Sequence, residues 1–138
     1  MRRTILVSLA LLLASAGPAT AIARSFHDGV YGRISYSAET DDRDGVQLTL
    51  HLSAKSATID FLLCEGGCGA VVTTRARPVG DTLEFEISEQ FVDLQGRPTS
   101  SATTHYVIKP SGSGVRLSAS GDRTFSDVYL PAVHRRER

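Results

Sequence analysis

The sequence predicts an all-β fold, an antiparallel up-and-down meander of about seven or eight strands that forms a small barrel or a sandwich. Apolar and polar residues alternate with a period of two along the chain from residue 22 onward, whereas the helical period of 3.6 is nowhere sustained. Clusters of Pro, Gly and Asp separate the alternating segments at short intervals. Connections this short join antiparallel neighbours, because parallel strands need crossovers of about a dozen residues or more.

The alternating segments predict the strands in chain order. In the first segment we expect Val30, Gly32, Ile34 and Tyr36 to share one face, although Tyr31 on the other face makes this assignment ambiguous. The second segment, residues 46–52, is the cleanest half-buried strand, since Val and Leu alternate there with polar residues. The predicted strands centre on residues 30–36, 46–52, 59–63, 70–74, 83–88, 104–109 and 115–120.

Turn residues explain where the strands end. Asp41–Gly45 is expected to end the first hairpin, and Ala54–Ser56 makes the next connection. Pro78–Asp81 and Pro110–Gly114 contain Pro and Gly, which supply backbone geometry that a strand cannot continue. The longest gap, residues 93–101, is predicted to be an exposed loop. Short strands joined in this way have one apolar face, so the sheet must close or fold over.

The apolar sides of these segments predict the core. A register error of one residue would place a whole set on the wrong face, so this list tests the strand assignments. The residues predicted to be buried are Ile34, Val46, Leu48, Leu50, Phe61, Leu83, Phe85, Tyr106, Ile108 and Leu117.

The first 21 residues predict a secretory signal peptide. Met1-Arg2-Arg3 is a basic start, residues 5–16 are largely apolar, and Ala19-Thr20-Ala21 has the small-x-small pattern of a cleavage site. The apolar stretch is shorter than the roughly 20 residues of a membrane span. We therefore expect residues 1–21 to be removed and residues 22–138 to form a single β-domain, periplasmic or secreted, without a membrane span.

Composition narrows the class of protein. The chain has 138 residues, of which 41% are hydrophobic and 22% charged, with a formal net charge of +0. This length and apolar content predict one globular domain and argue against a disordered chain. No run of Lys and Arg dominates, so a nucleic-acid partner is not expected. The charged tail, residues 133–138, is expected to fray.

Two cysteines stand close together in Cys64-Glu65-Gly66-Gly67-Cys68. Apolar segments on both sides predict a hairpin in which the two Cys residues face each other, and an oxidising compartment then favours a disulfide. A redox dithiol is the first alternative, but it more often has a Cys-x-x-Cys pattern at the start of a helix. A metal site is the second, but it would need further ligands, and no His or Cys lies nearby in sequence.

The acidic turn offers the best candidates for an ion. Asp41, Asp42 and Asp44 place three carboxylates within four residues, as a Ca²⁺ loop would require. However, Arg43 places a positive charge between them, and the spacing is not that of an EF-hand. Asp and Gly are also ordinary turn residues, so the favoured interpretation is a turn, with no metal or cofactor.

The search for catalytic residues finds no recognised motif. The sequence has no Gly-x-Ser-x-Gly elbow and no phosphate-binding or dinucleotide-binding loop. His51 and His105 fall on the polar faces of their strands and could meet across a sheet. With an outward acid such as Asp60, Glu84 or Glu86, they are the first suspects for a dispersed active site.

The start of the predicted β-domain has a run of Gly and Tyr residues. The run is Gly29-Val30-Tyr31-Gly32-Arg33-Ile34-Ser35-Tyr36, followed by Glu39, Asp41, Gly45 and Leu48-Thr49-Leu50. It resembles a group of small exported bacterial proteins of uncharacterised function that begin Gly-x-Tyr-Gly-x-x-x-Tyr. In that group a Glu-Gly type turn stands where this chain has Cys64–Cys68, so the paired Cys depart from the pattern. The resemblance implies a small exported β-domain and assigns no activity.

These observations favour a non-enzymatic exported module that binds a protein or a small ligand. Small periplasmic β-domains include inhibitors of enzymes such as lysozymes and carriers of apolar molecules, although this is an analogy of fold. One alternative is a small hydrolase built around His51, His105 and an acid. Another is a structural envelope protein that adds a strand at an open sheet edge.

Overall fold

The computed structural model describes residues 25–133, and the predicted signal peptide and most of the charged tail lie outside this range. The described chain forms one sheet of eight antiparallel strands in sequential order, which confirms the predicted all-β meander. The strands are β1 (Gly29–Ser37), β2 (Asp42–Leu52), β3 (Ala57–Cys64), β4 (Val72–Val79), β5 (Thr82–Val92), β6 (Pro98–Ser111), β7 (Gly114–Gly121) and β8 (Phe125–Leu130). No helix among residues 25–133 is long and apolar enough to cross a membrane.

The first and last strands meet, so the sheet forms a nearly closed barrel. Tyr31 pairs with Ala132 in an isolated antiparallel bridge. The N–H of Gly32 donates to the carbonyl of Pro131 at 2.9 Å, and the N–H of Val133 donates to the carbonyl of Val30 at 2.7 Å. Of the two architectures that the sequence predicts, a barrel or a sandwich, the structure therefore has the barrel.

The inward side chains of all eight strands fill the barrel. They include Leu48, Leu50, Ile59, Leu83, Ile108 and Leu117, all with essentially no exposed surface. The predicted core is correct except for Val46 and Ile34, which are only half-buried. Phe26, before the first strand, is also buried, although it belongs to no alternating segment.

The predicted inner face of β1 is wrong, because Tyr31 points into the barrel. Tyr31 lies opposite Leu48 in the β1–β2 register and is 5% exposed, whereas Tyr36 is 59% exposed. Directly opposed residues of an antiparallel pair share a face. The Tyr31 hydroxyl donates to the His27 carbonyl at 2.7 Å, which satisfies the polar end of the buried ring. Ile34, on the opposite face, is consequently left half-buried.

The first turn is also shorter than predicted. Ser37 pairs with Asp42, so the turn comprises residues 38–41, and of the predicted turn residues 41–45 it includes only Asp41, with φ of 59°. Gly45 is needed for close packing within the sheet. Its φ is 136°, and a Cβ there would lie 2.1 Å from the carbonyl oxygen of Arg33. A Gly that looked like a turn residue thus allows β1 and β2 to approach.

The predicted loop over residues 93–101 is partly a strand. Only residues 93–97 form the turn, and β6 already begins at Pro98. The Ser- and Thr-rich start of β6 pairs with β5, for example Ser100 with Phe91 and Ser101 with Gln90. The long gap between alternating segments, with Gly96-Arg97-Pro98 in it, suggested a loop, but backbone pairing with a neighbouring strand determined the conformation of residues 98–101.

Candidate functional site

One end of the barrel collects four connections. Because consecutive strands alternate in direction, the β1–β2, β3–β4, β5–β6 and β7–β8 connections all lie at this end. The β3–β4 connection supplies Glu65, the β7–β8 connection supplies Arg123, and Glu89 lies toward the same end of β5. The topology therefore brings together charged residues that are far apart in the sequence.

The barrel wall opens at the same end, between β4 and β5. These strands pair only over Arg77–Val79 of β4 and Thr82–Glu84 of β5. The earlier part of β4 pairs with β3 instead. Across the unpaired part, the Thr74 hydroxyl donates to the Glu86 carbonyl at 3.4 Å. The interior is consequently accessible beside this seam.

A cavity of about 410 Å³ lies at this opening. Its apolar lining comes from Phe61 and Leu63 of β3, Val72 of β4, Ile87 of β5 and Tyr106 of β6. Ile87 and the two rings are buried, whereas Val72 is 38% exposed. The cavity thus exposes part of the hydrophobic core at its floor.

Three aromatic rings form a cluster beneath the cavity. The centroids of Phe61 and Tyr106 are 4.8 Å apart, and Tyr106 stacks on Phe85 at 5.0 Å with an interplanar angle of 10°. Such offset or tilted contacts are favourable for aromatic rings. Burial raises the pKa of the Tyr106 phenol, so the ring is neutral at physiological pH.

Two carboxylates and one guanidinium form the rim. Arg123 Nη1 donates to both carboxylate oxygens of Glu65, at 2.8 and 2.7 Å. Arg123 Nη2 lies 3.6 Å from a carboxylate oxygen of Glu89. The hydrogen bond with Glu65 raises the pKa of Arg123, which stays charged. The rim therefore links the β3–β4 connection, β5 and the β7–β8 connection by ion pairs.

The cysteine loop holds Glu65 in position. The sulfurs of Cys64 and Cys68 are 2.10 Å apart, at disulfide distance. The loop is also attached to β2, since the Gly66 N–H donates to the Asp44 carboxylate at 2.8 Å. The predicted hairpin needs one correction: β4 begins only at Val72, so the connection is longer than three residues. Cys64 and Cys68 pair as an isolated bridge.

The acidic residues of the first hairpin make local hydrogen bonds. The Asp41 carboxylate accepts from the Tyr36 hydroxyl at 2.9 Å, and Asp44 accepts from Gly66 as described. Within residues 25–133, no three His, Cys, Asp or Glu side chains are grouped so that they could hold a metal ion. Asp41, Asp42 and Asp44 are thus not gathered around a common point.

His51 and Asp60 form a pair on the outer surface of the barrel. His51 Nε2 lies 2.9 Å from Asp60 Oδ2, and the Thr73 hydroxyl donates to Asp60 Oδ1 at 2.6 Å. These two hydrogen bonds, first that of Thr73 and then that of His51, lower the pKa of Asp60. Thr73 is bonded to the carboxylate and not to the imidazole, so the His does not activate this hydroxyl as a nucleophile.

His105 lies on a different part of the surface, on β6, four strands away from His51 on β2. The two His residues therefore do not meet. His105 lines a shallow groove of about 470 Å³ with Glu84 and Glu86, whose carboxylate oxygens are 3.5 and 3.7 Å from its ring nitrogens. The Ser88 hydroxyl in this groove is bonded to Thr103, 2.9 Å away. The groove thus offers an acid–base group without an attached nucleophile.

Sequence reasoning missed the rim. Glu65 and Arg123 are separated by 58 residues, and although Glu65 lies between the two Cys residues, no sequence pattern singled out Arg123 or Glu89. Their pairing follows from the arrangement of the connections at one end of the barrel. Comparisons with protein-family models, with curated proteins and with solved structures found no match to this chain.

Proposed function

We propose that this protein is a non-enzymatic binding module that holds a small amphipathic ligand in the cavity between β4 and β5. The observation that carries the proposal is a cavity with an aromatic and aliphatic floor that opens to solvent beside a charged rim. The signal-peptide pattern of residues 1–21 supports action in the periplasm or outside the cell.

The dimensions and chemistry of the cavity support a small ligand. Small-molecule sites commonly occupy about 300–1,000 Å³ and combine an apolar lining with a few polar groups. Here the apolar body of a ligand would contact Phe61, Ile87 and Tyr106, and its polar end would lie near Arg123 and Glu89. The catalytic alternative lacks comparable support, because the His51 and His105 sites hold no bound nucleophile.

Binding of the neutral fluorophore N-phenyl-1-naphthylamine tests this proposal. Val72 and Val79 both lie on β4 and are similarly exposed, at 38% and 42%, but only Val72 lines the cavity. Val72→Trp should fill the cavity and weaken binding by about tenfold or more, which corresponds to at least about 1.4 kcal/mol. Val79→Trp should leave the affinity unchanged. Absence of saturable binding to the unmodified protein, or equal affinities in both variants, would contradict the proposal.

A second candidate function is binding of a protein partner by the tip of the β5–β6 hairpin. Phe91, Val92 and Leu94 are 50%, 58% and 101% exposed. The Asp93 carboxylate accepts from the N–H groups of Gln95 and Arg97, both at 2.9 Å. These hydrogen bonds hold the turn in one conformation, and a preorganised apolar projection favours insertion into a cleft of another protein.

Affinity capture from an envelope extract tests the second candidate. The unmodified protein should retain a partner from the extract. Leu94→Asp should abolish this retention, whereas Val79→Asp, at an exposed Val outside the tip, should not affect it. Identical captured proteins with both variants would show that the tip does not bind the partner.

A further inference from the structure

We propose that the ligand of this cavity has a cationic head group, an ammonium or a guanidinium, on an apolar body. This inference rests on the proposed small-molecule function and specifies the class of ligand. It follows from the charges at the rim and from the hydrogen bonds that already engage them.

The rim has an excess of negative charge. The charged side chains that line the cavity among the described residues are Glu65, Glu89 and Arg123, so two carboxylates face one guanidinium. The net charge of this lining is therefore −1 at neutral pH. An anionic head group would experience net repulsion there, whereas a cationic one would be attracted.

Glu65 and Glu89 differ in how fully they are engaged. Glu65 uses both carboxylate oxygens to accept short hydrogen bonds from Arg123. Glu89 is 3.6 Å from the same guanidinium, which is an ion pair beyond good hydrogen-bond distance. Its side chain is 46% exposed. Glu89 is accordingly the carboxylate that can accept a hydrogen bond from a ligand. An anionic ligand could take over the hydrogen bonds of Arg123 only by displacing Glu65.

The floor of the cavity suits the apolar body of such a ligand. Phe61 and Tyr106 line the cavity and supply aromatic surface for an alkyl chain. Burial keeps the Tyr106 phenol neutral, so the ring adds no charge of its own. A cationic head next to Glu89, with its apolar chain on these rings, would use both parts of the site.

Three probes of eight carbon atoms each separate the contribution of the head group. Binding of octylammonium, 1-octanol and octanoate should be measured by displacement of N-phenyl-1-naphthylamine at equal ionic strength. We expect octylammonium to bind about fivefold more tightly than 1-octanol, and octanoate more weakly than either. The preference should decrease as salt is added, because the rim is partly exposed.

Glu89→Gln should remove the preference for octylammonium over 1-octanol. Glu86→Gln is the matched control, because Glu86 lies on the same strand, outside the cavity lining, and is also exposed. If 1-octanol binds but octylammonium has no advantage, or if Glu89→Gln retains the advantage, the cationic inference is wrong and the binding function stands. If none of the probes binds and the fluorophore gives no saturable signal, the binding function itself is wrong.

Discussion

Single side chains on one strand of this barrel have sharply different surroundings. On β2, Leu48 and Leu50 are fully buried, while His51 between Leu50 and Leu52 faces solvent. Leu94, in the β5–β6 turn, is fully exposed although it is the same residue type as Leu50. The contribution of a Leu to stability is thus determined by its position on the barrel and not by its residue type.

Leu50→Ala should reduce the free energy of unfolding by about 2–5 kcal/mol, because it removes buried apolar atoms and leaves a cavity. Leu94→Ala should change it by less than about 0.5 kcal/mol, since the side chain has no packing to lose. Denaturant unfolding of both variants measures the difference. A loss below about 1 kcal/mol for Leu50→Ala would mean that this side chain is not packed in the core.

The pKa of Asp60 should lie below that of an ordinary Asp, and the contribution of Asp60 to stability therefore depends on pH in the acid range. A lowered folded-state pKa stabilises the native protein above the ordinary Asp pKa, near 3.9, and this stabilisation is lost as pH falls through the folded-state pKa. Thr73→Val removes the larger of the two hydrogen-bond contributions and should raise the pKa of Asp60. Carboxyl-detected NMR titration measures it. Thr49→Val, on the other neighbouring strand, should leave it unchanged, and a shift of equal size there would contradict the assignment.

At the scale of structural elements, the loop after β3 combines several restraints. The Cys64–Cys68 pair closes a short loop, and Asp44 on β2 accepts from Gly66 inside it. The Arg43 N–H also donates to the Gly66 carbonyl at 3.2 Å. A disulfide across so few residues constrains the unfolded chain only slightly. Its main effect is therefore local, on the loop that carries Glu65.

The double variant Cys64→Ser/Cys68→Ser should retain the barrel and lose no more than about 2–3 kcal/mol of unfolding free energy. Circular dichroism and denaturant unfolding measure both properties. In the unmodified protein, alkylation without reductant followed by mass spectrometry should label no thiol. Two labelled thiols would show that the disulfide is absent, and loss of the barrel in the double variant would show that the restraint is more than local.

At the scale of the whole molecule, the barrel is least strongly held where its first and last strands meet. Inner strands such as β2 and β3 pair along most of their lengths, from Gly45–Cys64 to Leu52–Ala57. Among residues 25–133, closure of β1 on β8 and the residues after it instead depends on the Tyr31–Ala132 bridge and on the hydrogen bonds of Gly32 and Val133. A junction with few hydrogen bonds is expected to open locally before the rest of the sheet unfolds.

Hydrogen exchange should reveal this local opening. The amides of Gly32 and Val133 should exchange faster than those of Leu50 and Ile59, which lie in strands with a partner on each side. NMR-detected exchange under native conditions measures the four rates directly. Equal protection at all four positions would mean that the barrel opens only by global unfolding.

The sequence by itself determined the class of fold and most of the core. Alternation with a period of two identified β2, β5 and β7, because each of these strands has one buried and one solvated face. It did not identify the inner face of β1, since both faces carry Tyr, nor the start of β6, whose Ser and Thr residues resemble a loop. In both places the partner strand, which is distant in sequence, determined the conformation.

The tertiary structure alone determined the candidate site. Cys64 and Cys68 marked the right loop, but nothing local connects Glu65 with Glu89 or Arg123. Their proximity arises because alternating strand direction places the β3–β4 and β7–β8 connections and the end of β5 at one end of the barrel, and the cavity arises because β4 and β5 pair over only three residues each. Periodicity reports which face of a strand is buried, whereas a site composed of separate connections depends on closure of the sheet in three dimensions.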